Sequence, residues 1–127
     1  MRIVRYKDIP DERRGGGAYS IKRLLTQPLT KSPKNVGYYQ TTIPAGSKVT
    51  RHNHLTLEET LIFLTKSRVK IKGEMYYFEP KDMVFLEAGE DHEIYADNVV
   101  VLIAVKLPDN KEDKIIYNRS LEKLKLR

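Results

Sequence analysis

The middle of the chain consists of short segments in which apolar and polar residues alternate or apolar residues run together, with turn residues between them. Segment 68–72 alternates most clearly, with Val69 and Ile71 on one face and three basic residues on the other. The other segments are 37–43, 60–64, 75–78, 83–86, 93–95 and 99–105. Many short strands at hairpin spacing, without helical periodicity between them, predict an all-β sandwich or barrel.

The two ends of the chain follow different patterns. Residues 1–36 contain a Gly triplet and proline breaks at Pro28 and Pro33, and we interpret them as an N-terminal arm that packs on the barrel or on a partner subunit. Residues 37–127 form the barrel, in one domain overall, since 127 residues suit a single core. The tail 120–127 predicts one short amphipathic helical turn, with Leu121 and Leu124 facing inward.

Composition narrows the class of protein. Hydrophobic residues make up 40% and charged residues 31%, which is typical of a soluble globular protein. The absence of cysteine excludes disulfides, thiolate metal sites and cysteine nucleophiles, and it agrees with a cytoplasmic location. The sequence shows no apolar stretch long enough for a signal peptide or a membrane span, so we expect no membrane partner.

The net charge of +6 is concentrated in the terminal segments. Residues 1–36 carry +6 and residues 106–127 carry +3, whereas residues 37–105 carry −3. A nucleic-acid surface would combine clustered basic side chains with exposed aromatics, but most of the tyrosines lie within strand-like segments. The distribution therefore argues against direct nucleic-acid binding and favours a solvated basic surface.

The three histidines of the chain carry the candidate chemistry. His52 and His54 are two residues apart, so on a strand both imidazoles point to one face. Glu59 follows at the start of the next strand, and His92 stands beside a turn that can aim it inward. Three imidazoles and a carboxylate suit a borderline divalent metal, and on a six-coordinate ion they leave two positions open. The alternative is that single histidines are hydrogen-bonded core residues.

Two motifs around these residues resemble those of the cupin superfamily, in its small single-domain form. The first runs from Gly46 through five residues to His-x-His, then four residues to Glu59. The second begins at the Pro80 turn and ends with Gly89, two residues and His92. Four positions depart from the family pattern, and none is a ligand: Lys66, Lys81, Glu87 and Ala96.

The resemblance covers about residues 36–105 and implies a double-stranded β-helix, or jelly-roll, barrel. It implies a divalent transition metal (manganese, iron, nickel, zinc or cobalt) held by His52, His54, Glu59 and His92, and it implies a homodimer. Glu58 competes with Glu59 for the fourth ligand position. Strand alternation favours Glu59 as the inward residue and leaves Glu58 as a solvated surface charge.

We expect a mainly apolar pocket beside the metal. Tyr39 and Thr41 share a strand face with Ile43, and Phe63 and Phe78 are the best inward aromatics, so these are the candidate substrate contacts. Core packing is the alternative role of the two phenylalanines. No arginine or lysine shows a clear inward position.

The function that these features favour is that of a metal-dependent enzyme acting on a small molecule, of isomerase, lyase, decarboxylase or dioxygenase type. The alternative is a non-catalytic module that binds or senses a small ligand. Every histidine is committed to the metal cluster, so a Ser-His-Asp set is excluded.

Overall fold

The computed structural model describes residues 1–25, 35–109, 114–117 and 123–126. Its strands, numbered in chain order, form two large antiparallel sheets and one small hairpin. The five-stranded sheet contains β1 (Arg2–Val4), β4 (Gly37–Ile43), β6 (Glu58–Phe63), β9 (Met83–Leu86) and β11 (Val100–Leu107). The six-stranded sheet contains β5 (Lys48–His54), β7 (Ser67–Ile71), β8 (Glu74–Phe78), β10 (His92–Tyr95), β12 (Lys114–Tyr117) and β13 (Lys123–Leu126). The hairpin is β2 (Glu12–Arg14) with β3 (Tyr19–Ile21), and short 3₁₀ turns occupy Tyr6–Asp8 and Gly15–Gly17.

The strand order in the large sheets is typical of a jelly roll. The five-stranded sheet runs β1-β9-β6-β11-β4 and the six-stranded sheet runs β13-β12-β5-β10-β7-β8, so strands that are consecutive in the chain often lie in opposite sheets. This confirms the predicted all-β jelly-roll class. Among the described residues, no helix is long and apolar enough to span a membrane.

The core lies between the two sheets, and its buried residues come mainly from β4, β6, β7, β8, β9, β10 and β11. Phe63 of β6 and Phe78 of β8 stack across it, with ring centroids 4.4 Å apart and ring planes at 17°. The alternating segment around β7 behaves as predicted, because Val69 and Ile71 are buried there. Each fully buried side chain of this kind contributes about 1.5–3 kcal/mol to folding.

The predicted segments match the strands closely, and the largest local difference lies at the β7–β8 hairpin. The sequence predicts a turn at 73–74, whereas the structure has a two-residue loop of Lys72 and Gly73, both at positive φ (48° and 84°). A type I′ hairpin needs positive φ at both central residues, and its twist matches that of the strands. Lys72 therefore adopts a conformation that lysine rarely favours.

The prediction of a helical turn at 120–127 is wrong for the part of it that the structure describes. Lys123–Leu126 is strand β13, antiparallel to β12, with Leu124 opposite Ile116, and Leu121 lies outside the described residues. A single helical turn has a costly nucleus, while pairing with a strand that already extends the six-stranded sheet satisfies the backbone at once.

The N-terminal segment joins the five-stranded sheet at one point. Strand β1 pairs with β9, with Ile3 opposite Val84, so part of residues 1–36 is an edge strand of this sheet. The division of the chain into an arm of residues 1–36 and a barrel of residues 37–127 stays a prediction.

Asp82 joins the N-terminal segment to the turn between β8 and β9. Its carboxylate accepts hydrogen bonds from Arg5 Nη1 (2.8 Å), the Tyr6 amide (3.0 Å) and the Glu79 amide (2.8 Å). The turn is type II, with Pro80 second and Lys81 third at φ 74°, a place that usually takes glycine. Burial raises the pKa of Asp82, but these hydrogen bonds and the Arg5 charge lower it by more, so the pKa lies below its ordinary value.

We expect Asp82→Asn to lower the free energy of unfolding by about 1–3 kcal/mol at pH 7, because an amide cannot accept all three hydrogen bonds. The pKa of Asp82 is lowered on folding, so the carboxylate's contribution is complete above the unfolded pKa, near 3.8, and is lost as the pH falls through the lower folded pKa. The difference between variant and wild type should therefore shrink below about pH 4.

Urea unfolding at several pH values measures this effect. The control is Asp97→Asn, which removes an exposed carboxylate paired with Arg68 and should cost less than about 1 kcal/mol. Equal effects of the two substitutions at pH 7 would contradict the role assigned to Asp82.

Candidate metal centre

Side chains from both large sheets meet at one end of the core. His52 and His54 come from β5, His92 from β10 and Glu59 from β6. All four are buried, and one nitrogen or oxygen donor from each lies within 4.8 Å of the others. The structure thus brings together all four residues that the sequence predicts as metal ligands.

A β-bulge in β5 places the two histidine strands in register. His52 pairs with His92, but Val49 pairs with Ile94, so Thr50 and Arg51 together oppose the single residue Glu93. The extra residue reverses the strand's alternation, and both Val49 and His52 therefore face the core. The Arg51 amide, displaced from the ladder, donates to the Glu93 carboxylate at 3.1 Å.

The bulge also orients the first imidazole. His52 Nδ1 lies 2.8 Å from the carbonyl oxygen of Thr50, and His92 Nδ1 lies 3.0 Å from that of Glu90. A carbonyl only accepts, so each Nδ1 carries the proton and each Nε2 presents a lone pair. Metal-binding histidines are commonly held in this way by a partner of the other ring nitrogen.

Glu59 supplies the carboxylate, as strand alternation predicts. Its Oε1 lies 3.5 Å from His54 Nε2 and 3.3 Å from His92 Nε2. Glu58 points away from the cluster in the alternation of β6, yet only 9% of it is exposed, so the prediction of a solvated surface charge there is wrong. Glu58 lies opposite Leu107 of the neighbouring strand β11.

The donor atoms are arranged to bind a metal ion rather than to form hydrogen bonds with one another. Among the described residues, His54 Nε2, His92 Nε2 and Glu59 Oε1 are buried without a hydrogen-bond partner. Buried polar atoms are rarely left so, because each costs about 1–3 kcal/mol. Bonds of about 2.1 Å to a divalent ion place neighbouring ligands about 3.0–3.4 Å apart, close to the observed separations.

The electrostatics of the cluster favour an ionised Glu59. Burial raises the pKa of this carboxyl, but the adjacent imidazoles of His54 and His92 lower it by more, so the pKa lies well below its usual range. The ionised carboxylate is also the form that binds a metal.

A cavity of about 220 Å³ lies beside the cluster. Tyr39 and Thr41 line it, as predicted, together with apolar residues of four strands: Val49, Leu61, Ile94, Leu102 and Ala104. Phe63 and Phe78 are instead 0% and 2% exposed and belong to the core, the alternative role open to them. A larger groove of about 450 Å³ lies on the outer face of the six-stranded sheet, by Arg51 and Lys70.

Lys106 also lines the cavity, although the sequence analysis finds no inward lysine. Its Nζ lies 4.0 Å from Glu59 Oε2 and 5.0 Å from the centre of the Tyr39 ring. The predicted strand stops at residue 105, whereas β11 continues to Leu107 and stays paired with β4 and β6 at Lys106. Leu102 and Ala104 face inward, so strand alternation places Lys106, two residues further on, on the same face. This is the signal in the sequence that identifies Lys106.

Gly37 leaves space for Asp109 and the ring of Tyr39, which lines the cavity. It lies opposite Lys106 in the strand pairing, and the Tyr39 hydroxyl donates to Asp109 Oδ2 at 2.5 Å beside it. A Cβ at Gly37 would stand 2.7 Å from both Asp109 Cγ and Tyr39 Cε2, well inside van der Waals contact. This hydrogen bond is the main cause that raises the pKa of Tyr39, so the phenol stays protonated.

We expect Gly37→Ala to destabilise the protein by about 1–3 kcal/mol, because the added methyl group must displace Asp109 or the Tyr39 ring. Urea unfolding measures the change. Thr42→Ala, at an exposed position of the same strand, is the control and should stay within about 0.5 kcal/mol of wild type. If Gly37→Ala were as stable as the control, the close packing of Gly37 against Asp109 and Tyr39 would not contribute to stability.

Comparison with known proteins identifies the fold. No family model and no curated protein matches the chain. Among solved structures, a cupin protein from Bacteroides fragilis matches at TM-score 0.55 and 16% identity, over 68% of this chain and 84% of that one. A DMSP lyase from Ruegeria pomeroyi matches at TM-score 0.58 and 21% identity, over 65% and 43%.

A third match is a putative sugar phosphate isomerase from Acidithiobacillus ferrooxidans, at TM-score 0.56 and 19% identity, over 73% of this chain and 67% of that one. At these identities the similarity establishes the fold. The chain is a small cupin-fold domain, which confirms the fold that its two motifs implied.

Proposed function

We propose that this protein holds one divalent transition metal ion on His52, His54, Glu59 and His92 and uses it as an enzyme that acts on a small molecule. The reaction is of isomerase, lyase, decarboxylase or dioxygenase type. The observation that carries the proposal is the group of three buried, unpartnered donor atoms that converge from different strands beside a cavity.

The chain's own residues define what such a site does. The carbonyl partners of His52 and His92 hold two imidazoles in one tautomer, and the bulge keeps them in place. Apolar walls restrict water around the donors and strengthen the electrostatic interactions there. When bound, the ion supplies Lewis acidity, or dioxygen chemistry where it is iron.

The similar structures support small-molecule chemistry on this fold. Two of them are named as a DMSP lyase and a putative sugar phosphate isomerase, which belong to two of the proposed reaction classes. Because this chain spans only 43% of the lyase, the activity of that whole protein is transferred here only as a reaction class. On a six-coordinate ion, four protein ligands leave two positions for a substrate, which favours catalysis over a purely structural ion.

The second candidate, a non-catalytic ligand-binding module, is favoured by the scarcity of proton carriers. Apart from the ligands themselves, the titratable side chains that line the cavity in the described part of the chain are Tyr39 and Lys106. The Tyr39 proton is engaged by Asp109. We also propose the homodimer and the cytoplasmic location that are expected from the sequence.

The test is elemental analysis of the untagged protein after incubation with divalent ions. We expect about one equivalent of metal in the wild type and none in a His52→Ala, His54→Ala double variant. We also expect EDTA to lower the melting temperature of the wild type alone, since a bound metal stabilises the folded state. Metal-dependent conversion of a small molecule, followed by NMR, separates the enzyme from the binding module.

Glu59→Gln and Glu58→Gln form a matched pair for the carboxylate. We expect Glu59→Gln, which preserves shape, to weaken metal binding at least tenfold, about 1.4 kcal/mol, while Glu58→Gln binds like the wild type. Absence of metal from the wild type, or equal effects of the two glutamine substitutions, would refute the assigned ligand set.

A further inference from the structure

We propose that Lys106 is the substrate-recognition residue of this site and that the ligand it selects is a small anion, of which a carboxylate is the simplest form. This inference rests on the proposed metal site and adds the chemical class of its ligand. It is carried by the position of Lys106 inside the barrel, by its distance from Glu59 and by the charge balance of the cavity.

The strand register places Lys106 in the same row as the carboxylate ligand. Gly37, Lys106, Glu59 and Leu86 are successive partners across four strands of the five-stranded sheet. Neighbours in such a row project to the same face, so the Lys106 side chain points to the cluster rather than to bulk solvent. Its side chain is 26% exposed, which is low for a lysine.

The two oxygens of Glu59 face different partners. Oε1 lies 3.3 and 3.5 Å from the histidine nitrogens, whereas Oε2 lies 4.0 Å from Lys106 Nζ. A separation of 4.0 Å is longer than a direct hydrogen bond, so this contact does not saturate the three donors of the ammonium group. Lys106 can therefore orient Glu59 and still donate to a ligand.

The charges around the cavity are unbalanced once the site is loaded. Glu59 and Lys106 are the formally charged side chains that line it in the described part of the chain, and their charges cancel. A divalent ion then adds two positive charges, and the single carboxylate of Asp109, which is bonded to Tyr39, cannot neutralise both. Because a charge shielded from water is costly unless it is paired, an anionic ligand completes this site better than a neutral one.

The packing around Lys106 keeps the ammonium at the cavity. The Tyr39 ring lies beneath it at 5.0 Å, and the ring is held by its hydrogen bond to Asp109. Gly37 pairs with Lys106 on the neighbouring strand, and its lack of a side chain leaves room for Asp109. A cavity of about 220 Å³ accepts only a small ligand.

Glycolate and glycolamide test the inference, because they differ in charge but hardly in size. The protein is loaded with one equivalent of Co²⁺, its metal content is measured, and each compound is titrated while visible absorption and calorimetry report binding. We expect wild type to bind glycolate at least tenfold more tightly than glycolamide. Lys106→Met should weaken glycolate binding at least tenfold, with less than a threefold change for glycolamide.

Lys106→Arg should keep most of the preference for glycolate, and Lys106→Gln should lose it as Lys106→Met does. The matched control is Lys66→Met, which removes an exposed lysine that also lies 4.0 Å from a carboxylate, that of Glu79, and should behave like wild type. Failure of the wild type to retain Co²⁺ would refute the metal site, and this inference with it. Retention of Co²⁺ without a glycolate preference, or with one that survives both Lys106→Met and Lys106→Gln, would overturn the inference alone.

Discussion

The antiparallel pairing of His52 with His92 is the contact on which the arrangement of this protein depends. It joins β5 to β10 at the metal cluster, and it requires the bulge of Thr50 and Arg51 one step away. Without that extra residue, the alternation that turns Val49 inward would turn His52 outward. The bulge thus puts an apolar wall and the candidate histidine ligands on one face of the strand, and the Glu93 carboxylate satisfies the amide that it displaces.

The two ends of the barrel interior have different chemistry because different residues fill them. One end is filled by the stacked rings of Phe63 and Phe78, which are 0% and 2% exposed. The other end holds the buried donors, with Tyr39 and Lys106 beside them. A metal ion there would satisfy unpartnered polar atoms that otherwise destabilise the fold, so stability and function place the same demand on this end.

The turn between β8 and β9 has a backbone conformation that is unfavourable locally and is stabilised by tertiary contacts. Lys81 is third in a type II turn, where glycine is usual, and its amide donates to the Phe63 carbonyl while Asp82 fastens the turn to Arg5. The departure from the family motif at Lys81 therefore leaves the turn type intact. Tertiary hydrogen bonds offset the local cost, about 1–2 kcal/mol for a non-glycine residue.

The sequence by itself determined the jelly-roll class, most strand positions and the four candidate ligands. The all-β class and the strand positions follow from local alternation, and the candidate ligands follow from the spacing around His52 and His92. The jelly-roll form was implied by the resemblance of the two motifs to those of cupins. Only the tertiary structure decided that Lys106 faces the cavity, that Glu58 is buried and that the tail extends a sheet. These depend on where a strand ends and on what another strand brings against it, and alternation assigns Lys106 to the inward series only once β11 is known to reach Leu107.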